Sequence, residues 1–147
     1  MDGTNAGNSD GINLQSSFNN IYGLQIQNFA LSGIKIEEET ITSGLYTIIG
    51  AKHKENMLLS NSHGILSEKA NKLIIQHNII GSSGNSGINL QGIIAEINNN
   101  LIGTDSTNQL NLGNTKYGIE LINGNYQITN NTIAFNQLNG ISSFDSV

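Results

Sequence analysis

The 147-residue chain contains no cysteine, no proline, no tryptophan and no arginine. Lack of cysteine rules out a disulfide framework, a thiolate metal site and a cysteine nucleophile. Charged residues make up 12% of the chain, against about 25% in ordinary globular proteins. The basic residues are six lysines set against eleven acidic residues, for a net charge of -5. Such a chain has no basic field to draw in phosphate, so no nucleic-acid partner and no binding to an anionic membrane surface are expected. The longest apolar runs, such as Leu73-Ile74-Ile75, fall far short of the roughly 20 residues of a membrane helix, so no membrane insertion is expected either. The missing proline carries structural information, because a strand paired on both sides needs nearly every backbone N–H.

What the chain has instead is a repeat. Gly-Ile dipeptides stand at Gly11-Ile12, Gly33-Ile34, Gly64-Ile65, Gly87-Ile88, Gly118-Ile119 and Gly140-Ile141, spaced by 22, 31, 23, 31 and 22 residues. A unit of about 22 residues therefore accepts roughly nine more in alternate copies, the pattern of a solenoid with inserted loops. Each dipeptide opens a short alternating run, as in Ile12-Asn13-Leu14 and Ile88-Asn89-Leu90, which is the period of a strand with one buried face. Further apolar positions follow at Ile21, Ile75, Ile97 and Ile128, and then at Ile26, Ile80, Ile102 and Ile133. Helix competes poorly, because β-branched Ile holds the apolar positions while Asn and Gly interrupt every window. The expectation is an all-β chain: a right-handed parallel β-helix of about six coils, each of three short strands. Its inserted loops are expected around Ala51 to Glu55 and Thr104 to Tyr117. Parallel crossovers supply the hand, since about 98% of them are right-handed.

Asn56, Asn78, Asn100 and Asn131 recur two residues before the third apolar position. That register stacks them at a tight turn, where Asn tolerates left-handed backbone and its amide can bond the copy in the next coil, so these four are expected to form a structural Asn ladder. Residues 1–147 form a single unit. Met1-Asp2-Gly3-Thr4 reads as the middle of a repeat, so the chain is expected to be a segment of a longer solenoid whose secretion signal has been removed. An open terminal coil exposes unpaired backbone and an apolar layer, so end-to-end self-association of the isolated segment is expected.

Two segments carry a family resemblance. One runs from Ile48-Ile49-Gly50 through Asn56-Met57-Leu58-Leu59-Ser60-Asn61 to His63-Gly64-Ile65. The other runs from Asn100-Leu101-Ile102-Gly103-Thr104-Asp105 through Leu112-Gly113-Asn114 to Gly118-Ile119. In these the chain resembles the pectin-lyase-like superfamily of right-handed parallel β-helices, and more narrowly the bacterial secreted or surface β-helix repeat proteins. The resemblance implies an extracellular or cell-surface setting and a polysaccharide or glycan partner. It does not choose an activity, because that scaffold carries lyases, hydrolases, epimerases, adhesins and inert stalks.

The outer face of the strand that opens each coil is where side chains could act together. Two residues after each Gly stand Asn13, Lys35, Leu66, Asn89, Glu120 and Ser142, a mixed row whose polar members Asn13, Lys35, Asn89 and Glu120 offer a ligand face. Four residues after each Gly, Glu37 and Glu68 fall on adjacent coils, about 4.8 Å apart, near the carboxylate spacing of retaining glycosidases and suited to a Ca²⁺ bridge. With Lys35 and Lys69 nearby, Glu37, Glu68 and Lys35 are the catalytic candidates; the plainer role for the pair is a solvated corner softened by the lysines. Ser67 stands where an inward apolar residue is expected, so a bulge or a one-residue slip there would turn Glu68 off the face.

The enzyme patterns of the superfamily are missing: there is no arginine base, the aspartates are isolated, and Ser62-His63-Gly64 is only a faint echo of a Gly-His-Gly. His63 is expected in a turn. His53, His63 and His77 fall at different corners, which argues against a shared metal. Asp105, with Asn108, could ligate Ca²⁺ in the second loop; otherwise it hydrogen-bonds the turn. The reading favours a non-catalytic structural, glycan-binding or adhesive module that needs no cofactor. The alternative is a polysaccharide lyase or glycoside hydrolase.

Overall fold

The computed structural model describes residues 1–16, 18–37, 47–49, 56–68, 70 and 72–145, with the backbone alone described at 47–49 and 56. Among the described residues there is no helix, and sixteen strands form three sheets in which every pair is parallel. The first sheet joins β1 (Ile12–Leu14), β4 (Ser32–Ile36), β7 (His63–Ser67), β10 (Ile88–Gln91), β13 (Ile119–Ile122) and β16 (Ile141–Phe144) in that order. The second joins β2 (Asn20–Ile21), β5 (Thr47–Ile49), β8 (Lys72–Gln76), β11 (Ile94–Asn98) and β14 (Asn125–Thr129). The third joins β3 (Gln25–Gln27), β6 (Asn56–Leu59), β9 (Asn78–Gly81), β12 (Leu101–Ile102) and β15 (Thr132–Ile133). Consecutive strands thus visit the three sheets in turn, and each circuit returns the chain beside the strand laid down one circuit earlier.

The Gly-Ile pairs set this register. Ile12, Ile34, Ile65, Ile88, Ile119 and Ile141 form one continuous row across the first sheet. The four central members are fully buried, whereas Ile141, on an edge strand, is 43% exposed. The interior is mostly aliphatic, with Ile26, Leu58, Leu73, Ile75, Ile80, Ile97 and Ile102 filling it from the other two sheets and Phe29 joining them. Each fully buried Ile or Leu side chain contributes about 1.5–3 kcal/mol. A second inward row runs Leu14, Ile36, Ser67, Leu90, Leu121 and Ser143. No slip occurs at β7: Ile65, Leu66 and Ser67 pair in frame with Ile34, Lys35 and Ile36. Ser67 therefore points inward, fully buried, and among the described residues its hydroxyl has no hydrogen-bond partner.

The inserted residues differ in place from the sequence expectation. The loop expected at Ala51 to Glu55 lies outside the described residues. The register around it divides the extra length: Ile12 pairs with Ile34 at an offset of 22, Asn20 with Ile48 at 28, and Gln25 with Met57 at 32. Extra residues thus enter before β5 as well as after it. The second loop is shorter than Thr104 to Tyr117. An antiparallel bridge between Thr104 and Asn111 closes the excursion. The chain is back on the wall at Leu112, whose carbonyl accepts the Ser82 N–H at 2.6 Å, and residues 112–117 rebuild the corner of the coil.

Asn holds the corners. His77, Asn99 and Asn130 each adopt a φ of 54°, in the left-handed region, immediately before Asn78, Asn100 and Asn131. The Asn100 side-chain oxygen accepts from the Asn78 side-chain amide at 2.9 Å, and the Asn131 oxygen accepts from Asn100 in the same way at 2.9 Å. The amides of Asn100 and Asn131 also donate to the Ile75 and Ile97 carbonyls. Of Asn56 only the backbone is described, paired with Asn78. A second Asn column, which the sequence reading missed, occupies the next corner. Asn61, buried, accepts the Phe29 N–H and donates to the Ile26 carbonyl. Asn114, fully buried, accepts the Ser83 N–H and donates to Asn136 at 2.7 Å. Spacings of 31 and 22 residues from Ser83 through Asn114 to Asn136 were its signal, hidden because Phe29 and Ser83 interrupt the Asn identity.

Candidate functional site

Alternation along the first sheet turns Asn13, Lys35, Leu66, Asn89, Glu120 and Ser142 outward, opposite the buried Ile row, and the strand pairing sets them side by side in that order. The four ligand-face candidates therefore share one row. They divide into two polar clusters separated by Leu66.

The first cluster centres on Glu37. Its carboxylate accepts from the Asn13 amide at 3.0 Å and the Gln15 amide at 3.1 Å, and it forms an ion pair with Lys35. These donors, Lys35 foremost, hold the Glu37 carboxyl at about 2, and the same contact raises the Lys35 ammonium above its ordinary value. A carboxyl held so low is ionised at any physiological pH and cannot serve as a general acid. Glu68 is exposed one residue beyond β7, just as Glu37 stands one residue beyond Ile36, the register partner of Ser67. Lys69 lies outside the described residues.

The second cluster centres on Glu120, which differs from the exposed ligand the row position suggested. It faces outward but is only 7% exposed. The Ser86 hydroxyl donates to its carboxylate at 2.6 Å, the Asn89 amide at 3.1 Å, and the Lys116 ammonium lies at 3.4 Å. Lys116 in turn sits 5.5 Å from the centre of the Tyr117 ring, which packs against Phe144 at 5.9 Å. Glu120 is thus a braced carboxylate, its capacity largely taken up by its own neighbours.

His63 is not in a turn. It opens β7, in register with Ser32, and its imidazole is half-buried beside Lys35 and Leu66. Burial holds it below the ordinary histidine range. Asp10, Leu31, Ser32, Lys35, Ser62, His63 and Leu66 line a cleft of about 190 Å³ on this face. The sequence reading passed over this cleft by treating the residue before each Gly-Ile pair as a turn residue; Ser32 and His63 are the first residues of outward-facing strands. His77 lies at a different corner, and His53 lies outside the described residues. Among the described residues no group of three His, Asp or Glu side chains could hold a metal. Asp105 is engaged within its loop, accepting from the Thr107 hydroxyl at 2.8 Å and the Leu110 N–H at 3.3 Å, with Thr107 the main cause of its lowered carboxyl.

Comparison with protein-family models, curated proteins and solved structures finds no match to this chain.

Proposed function

We propose that the chain is a length of right-handed parallel β-helix, of the pectin-lyase-like kind and nearest to bacterial secreted or surface repeat proteins. In this reading it is a non-catalytic extracellular module that presents the outer face of its first sheet to glycan. Three parallel sheets visited in strict rotation support the architecture, and the hand follows from the rule for parallel crossovers. The observation that carries the functional reading is the state of Glu37. The best catalytic pair in the sequence has one member, Glu37, with both carboxylate oxygens taken up by its own neighbours, one by Lys35 and the other by Asn13 and Gln15, which suits a brace of the outer face better than a group free to meet a glycosidic bond. The same face offers rows of amide, hydroxyl and ammonium groups on a rigid scaffold, which suits recognition of a polyhydroxylated chain.

The test is binding and cleavage measured together on neutral and uronic polysaccharides, with and without Ca²⁺. Retention of a polysaccharide with no new reducing ends and no unsaturated products is expected. Cleavage that disappears in Glu37→Gln or Glu68→Gln would replace this reading with an enzymatic one.

A further inference from the structure

Three successive coils build the cleft on the first sheet. Asp10, Ser32 and His63 hold the same place in each, one residue before Gly11, Gly33 and Gly64. The Ser32 N–H donates to one Asp10 carboxylate oxygen at 2.8 Å, and Ser32 pairs with His63 in register. Lys35 and Leu66 are register neighbours on the adjoining row, and Leu31 and Ser62 complete the lining. Coils repeat at about 4.8 Å, so three of them span about 10 Å, the reach of one sugar ring with its hydroxyls.

Part of the hydrogen-bonding capacity of this lining is unspent. Among the described residues the His63 imidazole and the Ser62 hydroxyl make no hydrogen bond, and the second Asp10 carboxylate oxygen makes none either. The His63 ring nitrogens are not sealed from solvent and so stay open to a guest. Because burial keeps His63 neutral near pH 7, it offers one donor and one acceptor. Leu31 and Leu66 add apolar surface of the kind that meets the C–H face of a pyranose. The charge balance selects further: Lys35 is ion-paired to Glu37 and also feels the carboxylates of Asp10 and Glu68, so acidic groups outnumber the one ammonium about the cleft and disfavour an anionic guest. A volume of about 190 Å³ admits a single ring, below the usual range of roughly 300–1,000 Å³ for drug-sized ligands.

The geometry points to this cleft as the seat of one uncharged pyranose unit of a polysaccharide, held by Asp10, Ser62 and His63 over Leu66. The inference rests on the glycan-binding reading above and gives that face a defined subsite and a sugar class.

The experiment is titration of the folded chain with neutral, uronic-acid and amino-sugar oligosaccharides, followed by calorimetry and by the ring resonances of His63. Neutral oligosaccharides are expected to shift the His63 resonances. Asp10→Asn, His63→Ala and Leu66→Ala are each expected to weaken binding about tenfold, the loss of one well-made contact. His63→Gln, which keeps a donor and an acceptor, should recover part of the loss, and Gln127→Ala on the second sheet should change nothing. Melting curves establish that each variant is folded. Neutral-sugar binding that is lost in Asn89→Ala but untouched by the cleft variants overturns this inference and leaves the broader reading standing. Preference for uronates or amino sugars overturns the sugar class, and absence of binding to any glycan overturns both.

Discussion

Asn78 and Asn100 are joined through a single atom: the Asn100 side-chain oxygen accepts the Asn78 main-chain N–H at 3.0 Å and the Asn78 side-chain amide at 2.9 Å. The relation repeats one circuit later between Asn100 and Asn131. The Asn100 oxygen thus satisfies both the backbone and the side chain of the coil before it, while its amide reaches Asn131 in the coil after it, at a corner where the ladder hydrogen bonds lapse. Asn100→Ala should therefore destabilise by about 1–3 kcal/mol, because it leaves buried donors without an acceptor. Asn13→Ala, on the exposed face, should cost well under that in the same thermal melts.

The second column predicts a parallel result. Asn114 is fully buried and bonds Ser83 and Asn136, so Asn114→Ala should match Asn100→Ala in magnitude. A loss confined to Asn100 would show that only the first column bears load.

These columns show how far the sequence could be read. The Gly-Ile spacing gave the first sheet and its register because glycine and isoleucine hold those places in all six circuits. The Asn78–Asn100–Asn131 column was legible for the same reason. The second column was not, because its position accepts Phe29 and Ser83 as well as Asn. The second insertion was overestimated because polarity alone cannot distinguish residues 105–111, outside the wall, from residues 112–117, which hydrogen-bond back into it. The cleft was missed because its lining comes from three coils through a column that reads as unrelated residues: Asp10, Ser32 and His63. Glu120 was misjudged since alternation gives the direction of a side chain and not the neighbours that lean over it.

Ser67 interrupts an aliphatic row with a hydroxyl that is fully buried and has no partner among the described residues. Ser67→Ala should stabilise the chain by about 1 kcal/mol, since it removes an unsatisfied polar group. A destabilised Ser67→Ala would mean that the hydroxyl is satisfied in solution.

Glu37 makes stability depend on pH with a definite sign. Its carboxyl is lowered from 4.5 to about 2, so between those values the unfolded chain binds more protons than the folded one. The stabilising contribution is complete above pH 4.5 and is lost as pH falls toward 2. Carbon-detected titration of Glu37 should show a midpoint near 2, moving back toward the ordinary value in Lys35→Met. A midpoint unmoved by that substitution would remove Lys35 as the cause.

The last circuit carries exposed Phe135, Leu138, Ile141 and Phe144 beside the edge strand β16. Apolar burial is worth about 25 cal/mol per Å², so if the isolated chain self-associates, this exposed surface is the expected contact. Ile141→Lys with Phe144→Ser should lower the concentration dependence of light scattering. An unchanged profile would place the contact elsewhere.

The architecture is tested most directly by cross-linking across coils, since the chain has no cysteine of its own to confuse the result. Leu66 and Asn89 are outward register partners on neighbouring strands of the first sheet, at about the 4.8 Å strand spacing, which lies within the Cα range of a disulfide. The Leu66→Cys/Asn89→Cys variant should oxidise quantitatively within one chain and melt at a higher temperature. The Ser67→Cys/Asn89→Cys variant, whose side chains face opposite sides of the sheet, should not close. Equal closure of both pairs, or closure of the second alone, would contradict the register on which the stacked coils, the outer face and its cleft all depend.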